Sequence, residues 1–442
     1  MVLRRTFDED AWTDRTFAAL AEQQSLDPRE RAFSQRLSYG TVQQAKRLDH
    51  VIGVVGKRPL RKIDPPVLNA LRLGMYELLV LSQRTGEDGE LLGSSSAHAA
   101  VDQAVEIVRG VMGERAVAFT NAVLRRAQVD GHRILAQLDP ADDGDLATLL
   151  SMPEWLVTRV RASHGETGIE ALRAQNEPHP GTTFRVNAHA VDPAGPELAD
   201  AMRDVGVSFT TPTLDGAVVT PNAITVEGST GALGPLIDAG TIVPQSLASQ
   251  LVSATLDPQP GERVLDMCAA PGGKTTDIAA RVGDTGYVAA IELHEHRADS
   301  IRALARRTGT TDIIEVIVAD ATTLDAADFG GGPFDRVLLD APCTGTGVLG
   351  ARPDARWKRT EEGVAELVAL QRELLAVAAR MVRPGGVVVY STCSILADED
   401  EQIADNAPSA LIPDGAPRRT WPHEHGTEGF FIARFTRAEE ES

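Results

Sequence analysis

Three cysteines, one lysine and a few carboxylates carry the chemistry this sequence offers. Cys268 lies in Asp266-Met267-Cys268-Ala269-Ala270-Pro271-Gly272-Gly273-Lys274, Cys343 in Asp340-Ala341-Pro342-Cys343, and Cys393 in Ser391-Thr392-Cys393-Ser394. No two of them form a Cys-x-x-Cys pair, and three thiols in 442 residues rule out a disulfide framework. Each follows an apolar run of strand character, over 264–267, 334–339 and 386–390. If these runs are strands of one sheet, the thiols gather at one edge of it. Asp340, Cys343 and Cys393 then share a crevice, where the charge of Lys274 can favour a thiolate. A thiolate beside a carboxylate suits covalent catalysis. The bland alternatives stay open: a buried cysteine is usually an inert small hydrophobe, and a strand-end aspartate usually caps a helix. A metal is not expected, because no His or Cys stands at ligand spacing around the three thiols.

The turn at 267–274 follows a short strand and opens a helix, the first unit of a doubly wound α/β domain whose ligands bind beyond the carboxyl ends of the strands. A phosphate loop would need a glycine where Cys268 stands, although Gly273-Lys274-Thr275 satisfies its end. The dinucleotide fingerprint is also missing, since only Gly272-Gly273 is present. A nucleoside cofactor without a pyrophosphate remains. The next strand, 287–291, runs into Glu292, about 20 positions past the glycines, where an acidic residue binds ribose hydroxyls. S-adenosylmethionine fits both features. Asp320, after the third strand, suits either the adenine edge of such a cofactor or a turn cap.

A sulfonium methyl donor beside a thiolate matches one reaction closely. Carbon 5 of cytosine is too weak a nucleophile to take the methyl group unaided. Addition of a thiolate to carbon 6 makes carbon 5 enamine-like, and after methylation a base must remove its proton so that the thiol can leave. The site needs a thiolate, a carboxylate for the base's polar edge, a proton acceptor and the methyl donor.

Composition sets the frame. A chain of this length should divide into two or three domains. No apolar run is long enough to span a membrane, and the start turns acidic at once without the apolar stretch of a signal peptide, so a cytoplasmic protein is expected. The net charge of −20 disfavours a nucleic-acid partner overall, though local basic patches can still bind one.

Along the chain, residues 1–137 read as all helical and near neutral. Asp27-Pro28-Arg29-Glu30 and Asp64-Pro65-Pro66 mark helix starts, and helices also suit 94–108 and 115–126. Residues 138–150 read as an acidic connector and 151–250 as a small α+β module containing a strand at 183–187. From 251 to 437 strands and helices alternate, predicting a Rossmann-like, mostly parallel sheet with helices on both faces. Within it, 407–426 reads as a loop, 428–435 as a last strand, and 438–442 as a disordered acidic tail. Basic residues cluster at Lys57, Arg58, Arg61 and Lys62 and at Arg125 and Arg126, either as a solvated face or as phosphate contacts.

Two resemblances sharpen this. The patterns at 33–40, 71–81, 97–107 and Phe119-Thr120-Asn121-Ala122-Val123-Leu124-Arg125 resemble the NusB family of helical RNA-binding domains, which implies RNA recognition by the basic clusters. The three cysteine motifs, Asp340-Ala341-Pro342-Cys343-Thr344-Gly345-Thr346-Gly347, Arg352-Pro353-Asp354-Ala355-Arg356-Trp357 and Glu428-Gly429-Phe430-Phe431 together resemble the Nop/Sun family of RNA cytosine-C5 methyltransferases. With the NusB-like front end, the whole chain is similar to the RsmB/Sun ribosomal RNA branch of that family. The resemblance implies Cys393 as nucleophile, Cys343 as the cysteine that assists adduct breakdown, and Asp340 and Lys274 beside the base. It also implies S-adenosylmethionine contacts from Cys268, Ala269, Ala270, Pro271, Gly272, Gly273, Lys274, Glu292, Asp320 and Asp340.

Two stretches depart from the family pattern. Ala397-Asp398-Glu399-Asp400-Glu401 stands for a usual Pro-Glu-Glu-Asn-Glu, and Gln245-Ser246-Leu247-Ala248-Ser249 for a more acidic form. They put substrate fit in doubt, not the chemistry. The expected partner is ribosomal RNA, most simply of the small subunit, bound by a monomer, with transfer RNA or large-subunit RNA as rival substrates. A non-catalytic RNA-binding assembly factor is the alternative of another class. An amino methyltransferase would carry an Asn/Asp-Pro-Pro-Tyr loop where this chain has Asp340-Ala341-Pro342-Cys343.

Overall fold

The computed structural model describes residues 1–83, 97–177, 181–228 and 230–439. By contact the chain forms two units, Met1–Asn176 with Leu349–Arg359, and Glu177–Val348 with Thr360–Ser442.

The first unit is helical. Its core joins Leu48, Val51 and Ile52 of the helix Ala45–Gly56 to Leu71 and Met75 of Pro65–Leu79, Val101 and Ala104 of Ala97–Arg109, and Val123, Leu124 and Ala127 of Glu114–Leu135. The start expected at Asp27 is a full capping box: Glu30 N donates to Asp27 Oδ1 at 2.8 Å and Asp27 N to Glu30 Oε2 at 3.1 Å. The helix expected from 94 is described from Ala97 onward; residues 94–96 lie outside the described part.

The sequence-based boundaries differ from this unit in two respects. The connector at 138–150 contains the helix Asp143–Leu149, started by Asp142, whose carboxylate accepts from Asp145 N; its acidity is N-terminal capping rather than linker composition. The helix Glu154–Ala174 also belongs here, although 151–250 reads as one module.

A further segment, Leu349–Arg359, packs into the same unit. Buried Arg356 donates to the carbonyls of Gln43 at 3.3 Å, Ser151 at 3.1 Å and Leu349 at 3.2 Å, and to Asn176 Oδ1 at 2.9 Å. Trp357 Nε1 donates to Val42 O at 2.8 Å. Burial without a carboxylate partner lowers the Arg356 pKa to about 9.

The second unit holds two main sheets. Strand β1 (Thr182–Val186) is central to a small antiparallel sheet, between β4 (Ala223–Val226) and β5 (Ile242–Pro244); β2 (Thr213–Leu214) and β3 (Ala217–Val218) form a separate hairpin. The large sheet contains β6 (Arg263–Asp266), β7 (Tyr287–Glu292), β8 (Ile314–Val318), β9 (Phe334–Asp340), β10 (Val382–Thr392), β11 (Leu411–Pro413), β12 (Arg418–Thr420) and β13 (Phe430–Arg437). Its order is β11-β13-β10-β9-β6-β7-β8, with β12 also on β13. Strands β6 to β10 run parallel, and β13 returns antiparallel beside β10.

Connections leave β6 toward β7 on one side while β9 lies on the other, so the switch point of the sheet falls between β6 and β9. Apolar cores cover both faces, one around Leu265, Val337 and Tyr390, the other around Val264, Leu338 and Val389. Consecutive strand residues thus point to opposite faces.

The loop expected at 407–426 contains β11, β12 and the helix Pro422–His425. Segments this short show no periodicity, and Pro413 sits at the end of an edge strand, where its missing N–H costs nothing. Of the expected tail, 440–442 lie outside the described residues. Among the described residues no helix is long and apolar enough to cross a membrane.

Candidate active site

The turn at 267–274 is built locally. The chain leaves β6 at Asp266, passes through Cys268 to Pro271, and enters the helix Gly273–Val282 through Gly272 at φ +105°. A side chain there would be strained, and its Cβ would lie 3.1 Å from Ile301 Cα. Thr275 Oγ1 donates to Asp266 Oδ2 at 2.7 Å, while buried Asp266 Oδ1 has no partner. Burial raises the Asp266 pKa to about 7 against the Thr275 hydrogen bond. An orphaned acceptor beside a glycine turn and a helix start with free N–H groups suits a cofactor with an amino group and a nucleoside, so the residues present fit S-adenosylmethionine.

Glu292, 4% exposed at the end of β7, accepts from His294 N at 3.0 Å and lies 3.3 Å from Arg297, which also donates to Ala270 O at 3.4 Å. Asp320 is exposed and acts as a turn cap. Its Oδ1 accepts from Thr322 N at 2.9 Å and Thr322 Oγ1 at 2.8 Å, and these bonds lower its pKa.

The cysteine side is built from distant parts of the chain. Strands β9 and β10 are parallel neighbours with Asp340 opposite Ser391, so the loops beyond them begin side by side. Cys343 Sγ and Cys393 Sγ are 3.4 Å apart. Lys274 Nζ lies 2.7 Å from Asp340 Oδ2 and 5.3 Å from the centre of the Phe430 ring, and Ser391 Oγ donates to Asp340 Oδ1 at 2.8 Å. Burial lowers the Lys274 pKa, but Asp340 outweighs it and the net shift is upward, with Cys393 adding to the rise. Lys274 is therefore a lasting cation within electrostatic reach of Cys393.

The Cys343 thiol is pushed well up, first by its hydrogen bond with Cys393, then by burial and by Glu399 and Asp340. Cys268 differs: burial and the carboxylates of Asp266, Asp340 and Glu292 raise its pKa, so it stays a thiol. It packs against the core of one face, whereas Cys393 packs against that of the other. The sheet edge gathers all three, but only two are paired.

Close backbone contacts explain the glycines of two motifs. Gly347 N donates to Cys393 O at 2.9 Å and Gly429 N to Gly347 O at 2.9 Å; a Cβ on Gly347 would come 2.0 Å from Gly429 O.

Three groups that support the site were not foreseen. Arg185, fully buried in β1, donates to Gln245 Oε1 at 2.8 Å, Thr276 Oγ1 at 2.8 Å and Gly273 O at 3.4 Å, gripping the start of the cofactor helix. The signal was an arginine inside an apolar strand pattern, which requires a buried partner. Ser391 and Glu399 are the others, and neither stands out by spacing.

The basic clusters lie in the helical unit. Lys57, Arg58, Arg61 and Lys62 are exposed on the turn after the helix Ala45–Gly56, with Arg58 stacked 5.2 Å over Phe119. Exposed Arg126 donates to Val55 O at 3.1 Å. An open cleft of about 890 Å³ beside the turn is lined by Lys46, His50, Arg58, Arg72, Phe7 and Trp357, among others.

Comparison with known proteins agrees with this geometry. Residues 253–436 match the family model "16S rRNA methyltransferase RsmB/F", and residues 2–129 match the NusB family. A probable ribosomal RNA small subunit methyltransferase B of Synechocystis is 31% identical over 99% of this chain and 98% of its own length. The ribosomal RNA small subunit methyltransferase B of Vibrio cholerae is 32% identical over 93% and 91%. A putative methyltransferase of Mycobacterium tuberculosis is 36% identical over 98% and 94%. The crystal structure of PH0851 superposes with a TM-score of 0.77 at 26% identity, covering 98% of this chain and 97% of that one. In sequence over nearly its whole length, the chain belongs to the RsmB/F family of 16S rRNA methyltransferases.

Proposed function

We propose that this protein methylates carbon 5 of a cytosine in small-subunit ribosomal RNA, using S-adenosylmethionine. The observation that carries the reading is the Cys343–Cys393 pair at 3.4 Å beside the Lys274–Asp340 ion pair. The turn at 268–274, with Glu292 and Asp320, would hold S-adenosylmethionine, which would supply an electrophilic methyl group. Lys274 favours the thiolate of Cys393, which adds to carbon 6 of the base and passes an electron pair to carbon 5. Asp340 holds the polar edge of the base. Carbon 5 would take the methyl group with the cofactor's thioether as leaving group; once a base has then taken the carbon 5 proton, the freed electron pair expels the Cys393 thiolate from carbon 6, and Cys343 hydrogen-bonds the departing sulfur.

The cytosine has to leave any stack to reach this crevice, so a loop or irregular RNA is the substrate. Docking falls to the exposed turn with Lys57, Arg58, Arg61 and Lys62, with Arg125 and Arg126 adding charge, because the methyltransferase part is acidic. The protein acts as a monomer in the cytoplasm.

Bisulfite sequencing of total RNA from cells with and without the gene tests this, since 5-methylcytosine resists conversion. The expected result is loss of one protected cytosine in small-subunit RNA. Loss in another RNA keeps the chemistry and moves the substrate; no loss anywhere overturns the reading in favour of a non-catalytic assembly factor.

A further inference from the structure

We infer that Glu399 is a positioning residue that locks the loops of the two catalytic cysteines to each other. This rests on the function proposed above and adds a residue to it. Glu399 is fully buried, and its carboxylate collects four donors from three separate segments. Oε1 accepts from Thr344 N at 2.8 Å and from Gln371 Nε2 at 3.1 Å. Oε2 accepts from Thr344 Oγ1 at 2.5 Å and from Ser394 Oγ at 2.6 Å.

Thr344 directly follows Cys343, and Ser394 directly follows Cys393. One side chain therefore grips the neighbour of each thiol, across 55 residues of sequence on one side and 5 on the other. Gln371, on the helix Glu361–Met381, closes the arrangement by also donating to Pro342 O at 2.8 Å, on the other side of Cys343. Thr346 Oγ1 adds a cross-link, lying 3.1 Å from Ser394 Oγ and accepting from Ile395 N at 3.1 Å.

The two oxygens of a carboxylate offer about four lone-pair sites between them, enough to accept from all four donors at once. Its effect falls on the distance between the sulfurs, not on the cofactor turn, from which it receives no hydrogen bond. Misplacement of a reacting group by about 1 Å costs roughly 100-fold in rate. Release of the Cys343 loop from Cys393 should leave addition to carbon 6 possible but slow the breakdown of the adduct.

The test compares Glu399→Ala, Glu399→Gln and Thr344→Val in the full-length protein, with a small-subunit RNA transcript. The readouts are turnover, S-adenosylmethionine affinity by calorimetry, and RNA-linked protein on a denaturing gel. Glu399→Ala and Thr344→Val should lower kcat roughly 100-fold and accumulate adduct as Cys343→Ala does, with cofactor affinity within about twofold of wild type. Glu399→Gln should recover much of the loss, since its carbonyl still accepts from Thr344 N and Gln371 while the two hydroxyls turn to accept from its amide. Turnover near wild type in Glu399→Ala or Thr344→Val overturns the inference, as does slow turnover without adduct. If Glu399→Ala does not fold, Thr344→Val, which deletes one hydroxyl, decides alone. If wild type makes no 5-methylcytosine and Cys343→Ala traps no adduct, the proposed function fails instead.

Discussion

The cofactor turn and the cysteine pair stand at the ends of neighbouring strands but are held by opposite means. The turn is closed by its own neighbours: Gly272 N donates to Ala269 O at 2.8 Å, and Thr275 reaches back to Asp266. The cysteines are 50 residues apart and are brought together by strand register, by Gly347 against Cys393 and by the buried carboxylates Glu399 and Asp400. A local turn keeps its shape mainly through backbone conformation and near neighbours, with Arg185 of β1 bracing the helix that it opens. A long-range pair depends on many hydrogen bonds made at once, so it should respond more sharply to single substitutions around it.

The largest effects should come from the pair itself. Cys393→Ala should lower methylation on the order of 1,000-fold or more, with no RNA-linked protein on a denaturing gel. Cys343→Ala should also stop turnover but give a retarded band, because addition still occurs and release does not. A retarded band from Cys393→Ala, or its normal turnover, would reverse or remove the assignment of nucleophile.

This contrast also explains what was legible in the sequence. Alternation from 261 onward, the Pro-Gly-Gly turn and acidic residues at strand tails are local patterns, and the parallel sheet and the place of Glu292 at the end of β7 follow from them. The adjacency of Cys343 and Cys393 was legible as well, because both lie just past apolar runs that must be strands. Arg185 shows where that reading stops. It lies outside the methyltransferase alternation, in β1, and its role comes from tertiary packing against Thr276 and Gln245. Leu349–Arg359 is similar: a motif between β9 and β10 packs with helices far earlier in the chain, which no periodicity reports.

Arg185 gives the intermediate prediction, and it probes the turn from outside. Arg185→Leu removes the donor to Gly273 O and Thr276 and leaves Asp277, 3.9 Å from Arg185 and fully buried, with Arg281 at 3.3 Å as its remaining cation. A stability loss of about 3 kcal/mol is expected by thermal or urea unfolding, as for other broken buried pairs. S-adenosylmethionine should bind roughly tenfold more weakly, a loss of about 1.4 kcal/mol. Combined with Cys343→Ala at saturating cofactor, the variant should still trap adduct. Loss of trapping there would mean that the two sides are coupled rather than separately built.

The last prediction concerns Asp400, at a position where the family pattern has asparagine. Asp400 Oδ1 accepts from Thr392 Oγ1, next to Cys393, and Oδ2 accepts from Arg419 Nη2 at 2.7 Å. Burial raises its pKa to about 8 against the pull of Arg419. A carboxyl whose pKa is higher in the folded state holds its proton better there, so its contribution to stability is full below the ordinary value near 4 and is lost as pH rises toward 8. Asp400→Asn cannot titrate. Its stability relative to wild type should therefore improve as pH rises from 5 to 8.5, by at most about 1.4 kcal/mol for each pH unit, measured as Tm against pH. Parallel Tm curves would show that Arg419, which also binds Glu401 at 2.8 Å, holds Asp400 ionised throughout, and that the nucleophile's neighbour is anchored by a permanent ion pair.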